Sequence, residues 1–208
     1  MIKKSIAVVD YGMGNVWSVI SAFKYLGVDA QLISDPKDLH NYKHIILPGV
    51  GSFGRGMLAL RNSGLGDAIL NVVENKDTKL LGICLGMHLL GTHGTEGGDS
   101  QGLGLIDNKV EKFTTSELGK NKIPHVGFNS VGFNEPKGLF KNMGKVSDFY
   151  FTHSYRMLNT NVQERFGECY YGINFLAAFE QGNICGTQFH PEKSQTNGLI
   201  LLKNFLDL

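Results

Sequence analysis

The sequence lacks the features that would tie it to nucleic acid, a membrane or an oxidising compartment. Its 208 residues carry 20 Lys and Arg against 19 Asp and Glu, so a net charge of +1 gives no electrostatic basis for binding nucleic acid or an anionic membrane face. The longest uncharged stretch, 80–95, is too short and too rich in glycine to cross a bilayer. There are only three cysteines, an odd number that argues against a disulfide framework and favours a cytoplasmic setting.

Proline is also scarce, at 5 residues, whereas glycine numbers 27. Average usage of roughly 7% would give about 15 glycines, so about a dozen are in excess. Because the excess has no collagen-like period, it predicts a folded chain with many tight turns or close backbone approaches. The length predicts one domain that spans 1–208.

Strand and helix signals alternate along the first half of the chain. Helices are predicted over 16–26, with Asn15 as the N-cap and Gly27 just after the end, and in one or two segments between Phe53 and Glu74. Buried runs that alternate with helices indicate a parallel sheet covered on both faces. The four β-rich runs are 6–9, 30–33, 44–47 and 79–83.

The second half of the chain has a different texture. From 110 to about 179 the apolar runs are shorter and mixed with Gly, Asn and aromatic residues, which predicts antiparallel strands and hairpins added to the sheet. A last strand is predicted over 184–189 and a closing helix over 196–206. The expected fold class is α/β: three α/β/α layers around an open, mostly parallel sheet with added antiparallel strands.

The sharpest local signal is the segment Gly82-Ile83-Cys84-Leu85-Gly86, between an apolar run and a helical apolar pattern. Gly-x-Cys-x-Gly at such a junction has the form of a nucleophile elbow with cysteine in the place of serine. Side chains at the two glycine positions would clash in so tight a turn. The N-terminus of the following helix favours the thiolate, which is the nucleophilic form of cysteine. Alternatively, Cys84 is a buried small apolar residue.

A nucleophilic cysteine needs a base, and His190 is the best candidate among the seven histidines. It ends the last predicted strand, and Glu192 lies two residues further on, so in extended chain both point to the same side. Since strand ends converge on one edge of a parallel sheet, His190 can meet Cys84 across 106 residues of sequence. The alternative is a structural histidine in a turn.

Two further readings compete for the glycines and histidines around this edge. Residues 49–54 spell Gly-x-Gly-x-x-Gly, but Pro48 intrudes and no strand signal presents a ribose ligand, so bare backbone N–H groups for an oxyanion are the better use. Cys84 and His88 are spaced i, i+4, as two metal ligands would be, but no other histidine has a supporting spacing. We expect no metal. The aromatic run 149–155 is interpreted as a buried strand whose end reaches the site.

Three motifs in order resemble the class I glutamine amidotransferases: 48–51 (Pro-Gly-Val-Gly), 82–86 and 190–192 (His-Pro-Glu). A wider set is similar to the glutaminase subunits of imidazole glycerol phosphate synthases, over essentially the whole chain from about Ile6 to the C-terminus. This set comprises 10–15, 47–53, 82–87, 124–127, 153–155 and 188–195.

The resemblance implies a flavodoxin-like fold and a triad that hydrolyses glutamine without a cofactor. Cys84 attacks the amide carbon, His190 shuttles the proton and Glu192 orients His190. The ammonia passes to a (β/α)8-barrel cyclase subunit, with which the chain forms a heterodimer in histidine biosynthesis. By the same resemblance, the oxyanion hole is formed by Val50, Gly51 and Leu85, glutamine is bound by Gly49, Gly51, His88, Glu96, Ser154 and Tyr155, and the partner is contacted by Asn15, Phe128 and Lys193.

The chain departs from the family pattern near the substrate and the partner. His88 stands where the family has a glutamine, with an imidazole whose charge varies near neutral pH, Phe128 replaces a tryptophan, and Arg156 replaces a frequent aromatic residue. These departures keep open a paralogous glutaminase that feeds a surface-sugar amidotransferase, and an inactive regulatory homologue. A cysteine peptidase or a related hydrolase is the other enzyme class.

Overall fold

The structure, a computed structural model, describes residues 5–159 and 161–208. The expected domain of 1–208 also includes 1–4 and 160, which lie outside the described residues. The strands are Ser5–Val9 (β1), Asp29–Ile33 (β2), His44–Gly49 (β3), Lys79–Cys84 (β4), His93–Gly94 (β5), Ser100–Gln101 (β6), Lys109–Lys112 (β7), His125–Phe133 (β8), Val146–His153 (β9), Tyr155–Met157 (β10), Arg165–Tyr171 (β11), Ile173–Gln181 (β12) and Ile184–Thr187 (β13). The helices are Val16–Tyr25 (α1), Phe53–Ser63 (α2), Leu65–Val73 (α3), Leu85–Leu89 (α4), Thr115–Leu118 (α5) and Gln195–Leu206 (α6).

A nine-stranded sheet runs through the molecule in the order β2-β1-β3-β4-β13-β12-β11-β8-β9. The strands from β2 to β13 pair in parallel, whereas those from β13 to β9 pair antiparallel. This confirms the predicted open sheet with added antiparallel strands. A second sheet of four strands, β10-β7-β5-β6, was not predicted. Its strands have two to four residues, too few to show a period, and it joins distant segments such as Glu111 and Arg156.

Apolar side chains alternate between the two faces of the parallel strands and form two cores. On β1, Ile6 and Val8 pack in one core with residues of α1 and α6, while Ala7 and Val9 pack in the other with residues of α2 and α3. The helices therefore cover both faces, which confirms the three layers expected from the sequence.

Many of the excess glycines lie where the backbone adopts a positive φ. Twelve glycines have φ between +54° and +123°, a region that other L-residues rarely adopt. Gly64, with φ +72°, separates α2 from α3 and resolves the expected "one or two" helices into two. Asn15 precedes α1 as predicted, but its side chain makes no capping hydrogen bond, so the predicted cap is wrong in its mechanism.

Two features of the described residues bear on the excluded classes. In 5–159 and 161–208, no helix is both long and apolar enough to cross a membrane. Within the same ranges, no three His, Cys, Asp or Glu side chains are grouped so as to hold a metal ion.

Candidate active site

Cys84 lies at the carboxyl end of β4, and α4 begins at the next residue. Its φ of 54° and ψ of −110° are strained for a residue with a Cβ. A Cβ on Gly82 would lie 2.7 Å from the Gly86 carbonyl oxygen, and a Cβ on Gly86 would collide with the Leu47 carbonyl. The steric reason given for both glycines of the elbow is confirmed. Because α4 has only five residues, its dipole contributes less than the sequence pattern indicated.

His190 reaches the same edge of the sheet from β13, the parallel neighbour of β4. The strand ends at Thr187, not at the predicted 189, because the chain turns toward β9, where the His190 N–H donates to the Tyr150 carbonyl at 2.9 Å. The 3₁₀ turn Pro191–Lys193 follows and places Glu192 beside the imidazole. His190 Nδ1 donates to Glu192 Oε1 at 2.8 Å, and both side chains are 2% exposed.

The other ring nitrogen of His190 is free to act on the reaction. Among the described residues, Nε2 is buried without a hydrogen bond of ordinary geometry. Burial by itself disfavours the imidazolium, but the interactions with Cys84 and Glu192, whose negative charges favour it, raise the pKa of His190 to about 10. The raised pKa favours the imidazolium form of His190, which can donate a proton to a leaving amine.

The cysteine and the histidine open into one cavity of about 530 Å³, a volume that suits a small ligand. Nine of the residues expected at the site line it: Val50, Gly51, Cys84, Leu85, His88, Glu96, Ser154, Tyr155 and His190. Ser52, Pro124, Thr152 and His153 complete the lining. Residues from six separate parts of the chain thus meet in one place.

The loop after β3 forms one wall of this cavity. The Tyr11 hydroxyl donates to the Pro48 carbonyl at 2.9 Å and so holds the strand end in place. Gly49 is not a lining residue; a Cβ there would strike the Tyr11 oxygen and approach the Leu85 Cβ to 2.9 Å. Gly51 has φ +114°. Leu85 is the first residue of α4, so its N–H has no acceptor within the helix, and the residue lines the cavity.

His88 lies on α4 and is 3% exposed. Burial lowers its pKa to about 4, although a hydrogen bond to Gln188 acts in the opposite direction. The expectation that its charge varies near neutral pH is therefore wrong, because the buried ring stays neutral. Its Nε2 lies 2.6 Å from Gln188 Oε1.

Glu96 provides the carboxylate of the cavity. It sits opposite the start of α2, where its Oε2 accepts from the Phe53 N–H at 3.3 Å. Burial raises its pKa, while the Phe53 N–H and the charge of Lys112 lower it. No other lining residue has an acidic side chain.

The three residues expected at a partner interface lie outside the cavity. Phe128 on β8 is 52% exposed, and its ring meets the edge of Tyr150 at 5.7 Å. Lys193 Nζ lies 5.9 Å from the same Tyr150 ring. Phe128 and Lys193 therefore share one surface, whereas Asn15 lies at the start of α1.

Two buried, hydrogen-bonded histidines, His125 and His153, were given no role on sequence grounds, although His153 lines the cavity. His153 Nδ1 donates to the Tyr155 carbonyl at 2.8 Å, so its Nε2 accepts from His125 Nδ1 at 3.0 Å. Burial lowers the pKa of both rings, to about 4 for His125. The hydrogen bond from His153 to the Tyr155 carbonyl holds the backbone of Ser154 and Tyr155 in place. The pairing of β8 with β9 places His125 opposite His153, and no local sequence pattern shows this contact.

Comparison with known proteins agrees with this geometry. The family model described as glutamine amidotransferase class-I matches residues 7–208. The chain is 45% identical to imidazole glycerol phosphate synthase subunit HisH 1 of Parasynechococcus marenigrum (strain WH8102), over 97% of this chain and 96% of that protein. It is 42% identical to subunit HisH of Chlorobium chlorochromatii (strain CaD3), over 97% of this chain and 98% of that protein.

Solved structures share the architecture at lower sequence identity. The structure of PurLQS from Thermotoga maritima is similar with a TM-score of 0.77 and 20% identity, covering 99% of both chains. A crystal structure of a glutamine amidotransferase is similar with a TM-score of 0.73 and 20% identity, covering 97% of both chains. These two likenesses support the fold, and the family model extends over nearly the whole chain. The chain therefore belongs to the class-I glutamine amidotransferase family.

Proposed function

We propose that this chain is the glutaminase subunit of an imidazole glycerol phosphate synthase. It hydrolyses glutamine to glutamate and ammonia, and passes the ammonia to a (β/α)8-barrel cyclase subunit in a cytoplasmic heterodimer that serves histidine biosynthesis. The observation that carries the proposal is Cys84, held in a strained elbow beside the hydrogen-bonded pair of His190 and Glu192. The HisH relatives at 39–45% identity support the pathway.

The reaction follows from the arrangement of these three side chains. The Cys84 sulfur attacks the carbon of the side-chain amide, and His190 Nε2 gives its proton to the amide nitrogen, which leaves as ammonia. Water then attacks the thioester while His190 takes its proton, and glutamate leaves as the sulfur regains the electron pair. Glu192 keeps Nδ1 protonated, so Nε2 remains the exchanging nitrogen throughout.

Backbone N–H groups stabilise the oxyanion formed in both steps. We assign this role to Leu85, whose N–H lacks a helical acceptor, and to the Val50–Gly51 peptide across the cavity. One such donor contributes about 2.7–4 kcal/mol to an acyl-transfer transition state. The pairing of β3 with β4, in which Gly49 lies opposite Cys84, supports this assignment, since the Val50–Gly51 peptide and Leu85 line the same cavity.

The cavity also offers groups for the amino-acid end of glutamine. Glu96 suits the α-ammonium group, because it is the acidic side chain of the lining. Ser154 and Tyr155 also line the cavity, and the His153 hydrogen bond to the Tyr155 carbonyl holds this segment. We retain Gly51 and His88 as cavity residues, and assign Gly49 the close packing that lets the loop approach Cys84.

Glu96→Gln is expected to raise the KM for glutamine about 10- to 100-fold with a smaller effect on kcat, because a charge-assisted hydrogen bond is lost in substrate and transition state alike. Steady-state kinetics in the presence of the partner measures both constants. Glu74→Gln, on the exposed end of α3, is the matched control and should leave KM unchanged. An unchanged KM for Glu96→Gln would remove Glu96 from the substrate site.

The surface around Phe128 and Lys193, with Asn15, is the proposed contact with the cyclase. Val126, two residues from Phe128 on β8, is 57% exposed, so an apolar pair stands beside a lysine. A barrel docked on this surface would receive the ammonia that is produced in the cavity.

The test is to mix the chain with the barrel subunit encoded in the same genome and to measure glutamate release together with cyclase product. We expect glutamate and the cyclase product to form together, at matching rates. Turnover only with a surface-sugar synthase would favour the paralogue, and no glutamate above a Cys84→Ala control would favour the regulatory homologue. Unaided cleavage of other amides or esters would favour a peptidase or related hydrolase.

A further inference from the structure

Gln188 lies next to the reacting sulfur, although the proposed mechanism gives it no role. It is 0% exposed, between the end of β13 and His190, and its own N–H donates to the Ala177 carbonyl at 2.8 Å. Its side-chain amide spans the gap between His88 and Cys84. Oε1 lies 2.6 Å from His88 Nε2, and Nε2 lies 3.9 Å from the Cys84 sulfur.

The chemistry of the three groups fixes the direction of these hydrogen bonds. An amide oxygen only accepts, so the proton of the His88 ring is on Nε2 and is donated to Gln188. The neutral ring, whose pKa burial lowers to about 4, carries one N–H and uses it there. The NH2 group of the amide must then point toward Cys84. A donor aimed at a sulfur favours the thiolate over the thiol.

We propose that Gln188 is a further catalytic residue, whose amide N–H donates to the Cys84 sulfur and stabilises the thiolate, and that His88 is a positioning residue that holds this amide in the required orientation. The inference deepens the proposed function and rests on it for its meaning in catalysis. It also gives a reason why a histidine can occupy position 88, since the Nε2–H of His88 donates a hydrogen bond to the Gln188 amide that faces Cys84.

Other charged or titratable groups also face Cys84 and must be separated from this effect. His190 comes from the turn after β13 and carries Glu192 behind it, and Tyr11 comes from the segment after β1. Burial, and then the charge of Cys84, raises the pKa of Tyr11. Its hydroxyl therefore stays protonated and donates to the Pro48 carbonyl. His153 lines the same cavity, and burial lowers its pKa and so favours the neutral ring. Gln188 does not titrate, so its contribution is the same at every pH.

The test is the pH dependence of Cys84 alkylation by iodoacetamide in the full-length chain, with peptide mapping to separate Cys84 from the buried Cys169 and Cys185. Gln188→Met keeps the side-chain volume but removes the donor, and should move the midpoint of the profile up by about one pH unit. His88→Leu should move it in the same direction by less, because the amide then loses its orientation. His88→Gln should restore the wild-type profile, since glutamine places an Nε2–H at a similar distance from its Cα.

Gln31→Met, the same change at an exposed position on β2, is the control and should leave the profile unchanged. A folded Gln188→Met variant with the wild-type midpoint would overturn the inference; if that variant does not fold, an unchanged midpoint in His88→Leu would do so. Alkylation needs no glutamine. A shifted midpoint in a chain that releases no glutamate would therefore contradict the proposed function and leave this inference intact.

Discussion

Cys84→Ala should lower glutamate release in the presence of the partner by about 10⁴-fold or more, because no other side chain of the cavity can form the thioester. The remaining rate would come from substrate binding and the oxyanion donors alone. Coupled assay of glutamate in the heterodimer measures the loss. Cys169→Ala is the matched control: this cysteine is buried in the core, and its replacement should change stability rather than the catalytic step.

The strain at Cys84 provides a second readout of the same substitution site. A residue with a Cβ at φ 54° and ψ −110° costs about 1–3 kcal/mol, which glycine avoids. Cys84→Gly should therefore be about 1 kcal/mol more stable to denaturant than Cys84→Ala, while both are inactive. If Cys84→Ala kept activity within tenfold of wild type, the assignment of the nucleophile would be wrong.

His190→Ala is the second change with a large expected effect. Without the imidazole, the leaving amide nitrogen receives no proton and the attacking water loses none, so kcat should fall by about 10⁴-fold with little change in the fold. Steady-state kinetics measures the fall in kcat, and circular dichroism checks that the fold is retained. His40→Ala, on the exposed 3₁₀ turn Pro36–Asn41, is a control that should retain full activity.

Glu192→Gln tests the same base through its orienting partner. Its Oε1 accepts from His190 Nδ1, and removing the carboxylate charge should lower the pKa of His190 from about 10, because burial then acts with less opposition. An amide can also donate to Nδ1 and so hold the wrong tautomer, which should reduce kcat by about 10²- to 10⁴-fold. NMR titration of the His190 ring reports the pKa. A pKa that stays at its wild-type value would mean that Glu192 does not control the imidazole.

The parallel half of the fold was predictable because its signals are local and repeated. Four apolar runs separated by helical segments specify β1 to β4 within one or two residues, and Gly27 ends α1 where expected. The second sheet was not predictable, because the pairing of Glu111 with Arg156 leaves no trace in either short segment. Nor could the sequence show that β13 stops at Thr187, since the turn toward Tyr150 depends on a distant strand.

The candidate site likewise has residues that the sequence could predict and residues that it could not. Cys84 and His190 stand in motifs whose glycines and proline have a steric purpose, so their types and spacing point to them directly. Gln188 lies in the motif of His190 and His153 in the separate motif 153–155, but their roles depend on partners about 100 and 28 residues away in sequence, His88 and His125. Sequence could predict which groups react; it could not predict which neutral groups orient them, because those contacts exist only after the sheet has formed.

The most direct test of the account is covalent labelling with a glutamine analogue that carries an electrophilic chloroketone in place of the side-chain amide. The three cysteines, at positions 84, 169 and 185, are all free and buried, so two of them serve as internal controls in the same molecule. We predict, by peptide mapping of the heterodimer, one label per chain on Cys84, blocked by excess glutamine and lost in Cys84→Ala. Label on Cys169 or Cys185, or label on Cys84 that glutamine does not prevent, would contradict the central claim that this cysteine attacks a glutamine bound in the cavity.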